Sequence, residues 1–199
     1  MKEIENSLYA KGFKNIAGVD EAGRGPLAGP VCAAAVILPT DLVIDGINDS
    51  KKLSEKKREL LFEEIISSAV AYDIQFVEPD VIDEINIRKA TALAMHRAVE
   101  NLKVKADFVI IDGNDNYPYD IPFEYIVKGD AKSQAIAAAS ILAKVSRDRL
   151  MTKLHEEYPE YGFAKHKGYG TKAHCEAIQK YGVSSVHRKS FMTAKVLGK

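Results

Sequence analysis

Four consecutive apolar residues, Phe108-Val109-Ile110-Ile111, stand between two aspartates, Asp107 and Asp112. The run is too short for a helix and has no polar alternation. It reads as a strand buried on both faces near the centre of a sheet. Such a strand needs elements packed over each face, so the chain is expected to be α/β.

The remaining patterns supply the partners. Ile16–Asp20 is a second apolar run, ending in Asp20, Glu21 and a glycine-rich stretch, and reads as a strand entering a loop. Gly29–Leu38 is a strand stopped by Pro39, and the two can form a hairpin across Ala22–Ala28. Ala71–Val77 and Phe123–Val127 read as two more strands. Ser54 suits the N-cap of a helix from Glu55 to about Val70, with Leu60, Leu61, Ile65 and Ile66 at helical spacing. A helical pattern runs from about Val81 to Leu102, with breaks allowed near Asn86 and Ile87. Ala131–Leu154 is a strong helix whose Ala137-Ala138-Ala139 segment permits close packing on a sheet, and Thr171 caps a helix through Tyr181. No element is assigned beyond Val183. The expectation is one domain over residues 1–199 with a mixed sheet and flanking helices.

Composition narrows the class. No run of about 18 apolar residues exists, so no membrane span is expected. The N-terminus lacks an apolar leader core, and a cytoplasmic location is expected. Cys32 and Cys175 are distant and lack metal-ligand spacing, which suits free thiols. Net charge is zero, which argues against a general DNA-coating protein. The charge is uneven, however. Residues 165–199 carry eight Lys or Arg against one acid, Glu176, while the rest carries 20 bases and 27 acids. A basic C-terminal segment packed on or beside an acidic body fits polyanion binding next to a carboxylate-rich site; a solvated basic surface is the plain alternative.

The acids at strand ends carry the chemical signal. Asp20 and Glu21 follow one strand, Asp112 ends another, and Asp130 lies between a third and a helix. Neighbouring residues on a strand face opposite ways, so Asp20 and Glu21 share a site only if the strand ends or bulges there. Converging carboxylates repel, and a divalent cation removes that penalty. Oxygen donors without a His/Cys cluster suit Mg²⁺ or Mn²⁺. Two such ions roughly 4 Å apart would stabilise the attacking and leaving oxygens of a phosphoryl displacement. Any one of these acids alone also reads as a loop or cap residue. Gly23-Arg24-Gly25 reads as a tight turn, or as bare backbone able to approach a phosphate or sugar hydroxyl. Lys51 and Lys52 are an exposed pair or phosphate contacts. Ser54-x-x-Lys57 is explained by capping. Asp148 is expected to pair with the flanking Arg147 and Arg149. His166 and His187 sit among lysines and read as solvated loop residues or phosphate contacts.

Taken in order, the segments resemble a known family. Gly18-Val19-Asp20-Glu21-Ala22-Gly23-Arg24-Gly25-Pro26-Leu27-Ala28-Gly29-Pro30-Val31 is similar to the opening motif of the ribonuclease HII family. Asp49-Ser50-Lys51-Lys52-Leu53, Ile111-Asp112-Gly113, and Lys128-Gly129-Asp130 followed by Ser133 to Asp148 continue the likeness. So do Tyr161-Gly162-Phe163, His166-Lys167-Gly168-Tyr169-Gly170-Thr171 and His187-Arg188-Lys189-Ser190-Phe191. The arginine between the motif glycines favours type HII over type HIII.

The resemblance implies a ribonuclease H-like fold: a central mixed five-stranded sheet, flanking helices and a helical C-terminal part. It implies that Asp20, Glu21, Asp112 and Asp130 are catalytic and metal-binding, with Mg²⁺ or Mn²⁺ as cofactor. The implied substrates are RNA–DNA hybrids and duplex DNA carrying ribonucleotides, cut to 5′-phosphate and 3′-hydroxyl ends. Gly23, Arg24 and Gly25 would sense the ribose 2′-hydroxyl, and Tyr169 would pack on the sugar at the RNA–DNA junction. Lys51, Lys52, Lys165 and Lys167 are expected to contact substrate, and the protein is expected to be a monomer. Rival readings are another nuclease or recombinase on the same fold, and a non-enzymatic nucleic-acid-binding module.

Overall fold

A computed structural model describes every residue except Asp49 and Lys199, and only the backbone of Lys51. The order is α1 (Glu3–Ala10), β1 (Ile16–Ala22), β2 (Val31–Ile37), α2 (Glu55–Ser68), β3 (Ala71–Val77), α3 (Pro79–Ile85), α4 (Ile87–Glu100), β4 (Phe108–Asp112), β5 (Phe123–Ile126), α5 (Gln134–Glu157), α6 (Phe163–His166), α7 (Lys172–Tyr181) and α8 (Ala194–Leu197). The five strands form one mixed sheet in the order β3-β2-β1-β4-β5. β1, β2 and β3 pair antiparallel, whereas β4 runs parallel to both β1 and β5.

The sheet is buried on both faces, as the Phe108–Ile111 run requires. Ile110 joins the core under α5, and Ile111 joins the core under α4. Each such side chain contributes about 1.5–3 kcal/mol on full burial. All seven residues of β2 are buried. The alternation continues along β1: Ile16 faces the α5 side, and Ala17 and Val19 face the α4 side. A third, smaller core joins Leu27 and Ala28 to Met151, Tyr161, Phe163, Ile178 and Val196. Through it, the C-terminal helices pack on the β1–β2 connection and the end of α5.

Several boundaries differ from the expectations. β1 continues through Asp20 and Glu21 to Ala22, in regular register with β2. The break allowed near Asn86 is present: the long helical pattern is two helices that meet at Asn86, whose φ is 69°. α5 begins at Gln134, because the Ser133 hydroxyl caps the Ile136 N–H. Leu60 is exposed; the buried face of α2 is Leu61, Phe62 and Ile65. Ser54 and Thr171 cap α2 and α7 as expected. The unassigned segment after Val183 holds a 3-10 turn and α8.

Gly18 sets how closely α5 approaches β1. A Cβ at this position would lie 2.2 Å from the Ala135 carbonyl carbon and 2.4 Å from the Ile136 nitrogen. Both are backbone atoms, which have no rotamer through which to retreat. Gly18→Ala is therefore expected to cost about 3 kcal/mol or more, read as a lower urea midpoint at unchanged slope.

Candidate active site

Strand alternation selects which acids meet. Asp20 lies two residues from Gly18 on β1 and shares its face, towards α5. Asp112 lies two residues from Ile110 on β4 and shares that face too. Asp130 sits in a 3-10 turn, Gly129–Ala131, that leads into α5. One carboxylate oxygen from each of Asp20, Asp112 and Asp130 lies within 4.8 Å of the others. Asp112 is held in place by its Oδ1, which accepts from the Gly129 N–H at 2.6 Å.

The triplet is electrostatically strained. Burial, followed by the charges of Glu21 and Asp112, pushes the Asp20 carboxyl well above the usual carboxylate range. Hydrogen bonds from Ser140 and from the Glu21 N–H, at 2.7 Å, oppose that rise without cancelling it. A set of three converging oxygen donors of this kind fits a hard divalent cation. Coordination distances of about 2.0–2.6 Å reach oxygens at this spacing. No histidine or cysteine stands among the donors.

Glu21 follows Asp20 on a strand that neither ends nor bulges before Ala22, and it is not one of the three grouped acids; its charge nevertheless raises Asp20, and it lines the cleft beside the triplet. Its Oε1 lies 3.5 Å from Arg24 Nη1, which lies equally far from Asp115 Oδ2. Gly23 has φ 92°, and a Cβ there would lie 2.0 Å from Arg147 Nε, so both backbone conformation and space demand glycine.

A cleft of about 320 Å³ adjoins the triplet, lined by Glu21 to Gly25, Ser50, Ser140, Lys144, Arg147 and Tyr169. Ser140 bonds Ser50 at 2.9 Å and also contacts Asp20. Gly23, Arg24, Gly25 and Tyr169 therefore converge in space, although about 145 residues of sequence separate them. Tyr169 is 44% exposed, and a Cβ on Gly25 would lie 3.7 Å from its ring. Lys52 and Lys165 are exposed outside this lining, and Lys167 donates to Thr152 Oγ1 at 2.9 Å. Asp49 and the Lys51 side chain lie outside what is described. A larger hollow of about 440 Å³, beside His96 and Tyr119, shares no residue with the triplet or the cleft.

Ser140, Lys144 and Arg147 escaped the sequence reading, although their i, i+4, i+7 spacing marks one face of α5. Asp148 pairs with Lys144 at 2.7 Å, not with its flanking arginines. Arg149 reaches Glu59 and Glu63, while Arg147 turns inward.

His187 is not a solvated loop residue, and His166 is half-buried. His187 and His174 are buried, with their Nε2 atoms 3.1 Å apart. The Ser184 N–H is a fixed donor to His187 Nδ1 at 3.1 Å. His187 must then carry its proton on Nε2 and donate to His174 Nε2. His174 Nδ1–H in turn donates to the Tyr169 carbonyl at 2.9 Å. His166 stacks on His174 with ring centroids 4.5 Å apart. A proton on either His174 or His187 would set two donors against each other.

Burial lowers both His174 and His187 to a pKa of about 4, from 6.5 for an ordinary histidine. Between these values the unfolded chain holds protons that the folded chain refuses, so stability falls as pH drops from 6.5 towards 4. His174→Asn is expected to make that limb shallower, by about one proton taken up per unfolding event near pH 5. Urea midpoints measured across this range check it.

A family model described as Ribonuclease HII matches residues 17–194. A ribonuclease HII of Caldicellulosiruptor bescii is 56% identical over 195 residues, covering 96% of this chain and 92% of the relative. One from Bacillus cereus is also 56% identical, covering 98% of this chain and 76% of the relative. Among solved structures, ribonuclease H2 from Pyrococcus horikoshii superposes with a TM-score of 0.78 at 31% identity, covering 92% of this chain and 97% of that one. The fold is thus ribonuclease H-like, and the chain belongs to the ribonuclease HII family and is a hydrolase, a ribonuclease H.

Proposed function

We propose that this ribonuclease hydrolyses the RNA strand of RNA–DNA hybrids and cuts 5′ of ribonucleotides embedded in duplex DNA, leaving 5′-phosphate and 3′-hydroxyl ends. The observation that carries the reading is the carboxylate triplet opening beside a cleft lined by Gly23–Gly25 and Tyr169. Asp20, Asp112 and Asp130 would hold divalent cations, Mg²⁺ or Mn²⁺, with Glu21 as the fourth carboxylate. Its 3.5 Å contact with Arg24 is long enough to be exchanged for a cation. When bound, two such ions supply an acidified water and charge stabilisation of the departing 3′ oxygen.

The chain's own residues place the strand. The 2′-hydroxyl is the only local difference between a ribonucleotide and its deoxy neighbours, and it both donates and accepts. Backbone at Gly23, Arg24 and Gly25 can approach it without side-chain obstruction at the glycines. The Tyr169 ring, next to Gly25, packs on the following sugar and favours a deoxyribose there. Lys51, Lys52, Lys165 and Lys167 contact phosphates and add affinity without reading sequence.

Asp112→Asn keeps the side-chain shape but removes one charge from the triplet. It is expected to fold and to lose cleavage on the order of 10²-fold or more in Mg²⁺ buffer. A folded variant that cuts at the normal rate would remove Asp112 from the site. Tyr169→Ala is expected to impair cleavage at a single embedded ribonucleotide much more than cleavage of a continuous hybrid. Measuring both substrates in one buffer checks this; equal losses would leave Tyr169 a general packing residue.

A further inference from the structure

Two arginines, Arg147 and Arg188, are almost completely buried, at 1% and 0% exposure. Among the described residues neither guanidinium has an ion-pair partner within 4.0 Å. Both bind backbone carbonyls of the connection between β1 and β2. Arg188 donates to Gly29 O at 2.9 Å, Arg24 O at 3.0 Å and Gly23 O at 2.6 Å. Arg147 donates to Pro30 O, Ala28 O and, across to the tyrosine loop, Lys167 O. Burying such cations is costly, and burial together with neighbouring Arg147 pulls Arg188 down to a pKa of about 9. An apolar side chain would fill the same space at less cost, but it could not aim three carbonyls.

The aim has a consequence for the cleft. In a trans peptide the N–H points opposite to the C=O. With the Gly23 and Arg24 carbonyls fixed on Arg188, the N–H groups of Arg24 and Gly25 turn away from the interior. The preceding residue, His187, performs the matching task for Tyr169 through His174 and the Tyr169 carbonyl. Backbone bonds join the two systems. Arg188 N–H donates to Leu27 O, Gly29 N–H to Val186 O, and Leu27 N–H to Gly168 O. Ala28 and His187 form an isolated bridge.

We propose that His187 and Arg188 are positioning residues that lock the Gly23–Gly25 loop and Tyr169 into one rigid unit, so that ribose sensing and junction sensing operate together. The inference rests on the reading of those two elements as sugar contacts. His187 and Arg188 touch no substrate in this scheme. They act through carbonyls and through the histidine pair.

The test uses Arg188→Lys, which keeps the charge but cannot reach three carbonyls, with Tyr169→Ala and the double variant. For each, kcat/KM is measured on a duplex with one ribonucleotide and on a continuous hybrid. The ratio of the two is expected to fall about tenfold in each single variant and no further in the double, because both disrupt one unit. Multiplying losses in the double variant, or an unchanged ratio in Arg188→Lys, would overturn the proposal. Amide hydrogen exchange of residues 23–30 and 166–171 gives a readout independent of cleavage. Arg188→Lys should speed exchange in both segments. Loosening of 23–30 with 166–171 still protected would overturn the coupling even if activity falls. If exchange is coupled but Tyr169→Ala leaves the ratio unchanged, the junction-sensing role of Tyr169 fails and the rigid unit stands. Should Arg188→Lys fail to fold, Ser184→Ala removes only the hydroxyl donor to His187 Nδ1, at 2.7 Å, and the same exchange comparison applies.

Discussion

The backbone contact between β1 and the start of α5 is the constraint on which the rest depends. With no side chain at Gly18, the helix lies directly on the strand. That distance fixes where the turn before α5 delivers Asp130, and where α5 presents Ser140, opposite Asp20. The parallel pairing of β1 with β4 then brings Asp112 to the same edge of the sheet. The three acids converge because of how helix and strands stack; no local sequence motif brings them together.

Convergence and charge work against each other. Asp20 and Asp130 are nearly buried, and the neighbouring acids hold Asp20 towards its neutral form. The fold therefore stores electrostatic strain at one point, which a bound cation would release. The cleft beside it is organised by the opposite sign of charge. Arg147 and Arg188 are used as hydrogen-bond forks on backbone, and among the described residues neither forms an ion pair with a carboxylate. On the proposed function, their positive field lies beneath the loop that meets a phosphodiester backbone.

Much of this was legible in the sequence, for identifiable reasons. The apolar runs ending in acids reported real strands, because a buried strand has few ways to be written. The break at Asn86 and the Ser54 and Thr171 caps were legible because each satisfies a local backbone requirement. What stayed hidden depends on contacts far apart in the chain. Nothing near Arg188 announces that it bonds a loop 165 positions away, and a basic neighbourhood disguised it as surface. His187 is disguised by the same basic neighbourhood, although its partners are Ser184 and the buried His174. Asp20 and Glu21 are adjacent acids, and nothing local in the sequence shows that only Asp20 joins the grouped carboxylates while Glu21 lines the neighbouring cleft.

The span between the glycine loop and its clamp also orders events during synthesis. β1 and residues 23–30 leave the ribosome well before Arg188, which follows Gly23 by 165 positions. Until it arrives, the carbonyls it holds have no partner of that geometry. The sheet and the carboxylate triplet can assemble on a nascent chain before the loop is fixed. On the proposed function, capacity to bind cations would thus precede capacity to discriminate sugars, and selective cutting would wait for the segment that carries Arg188.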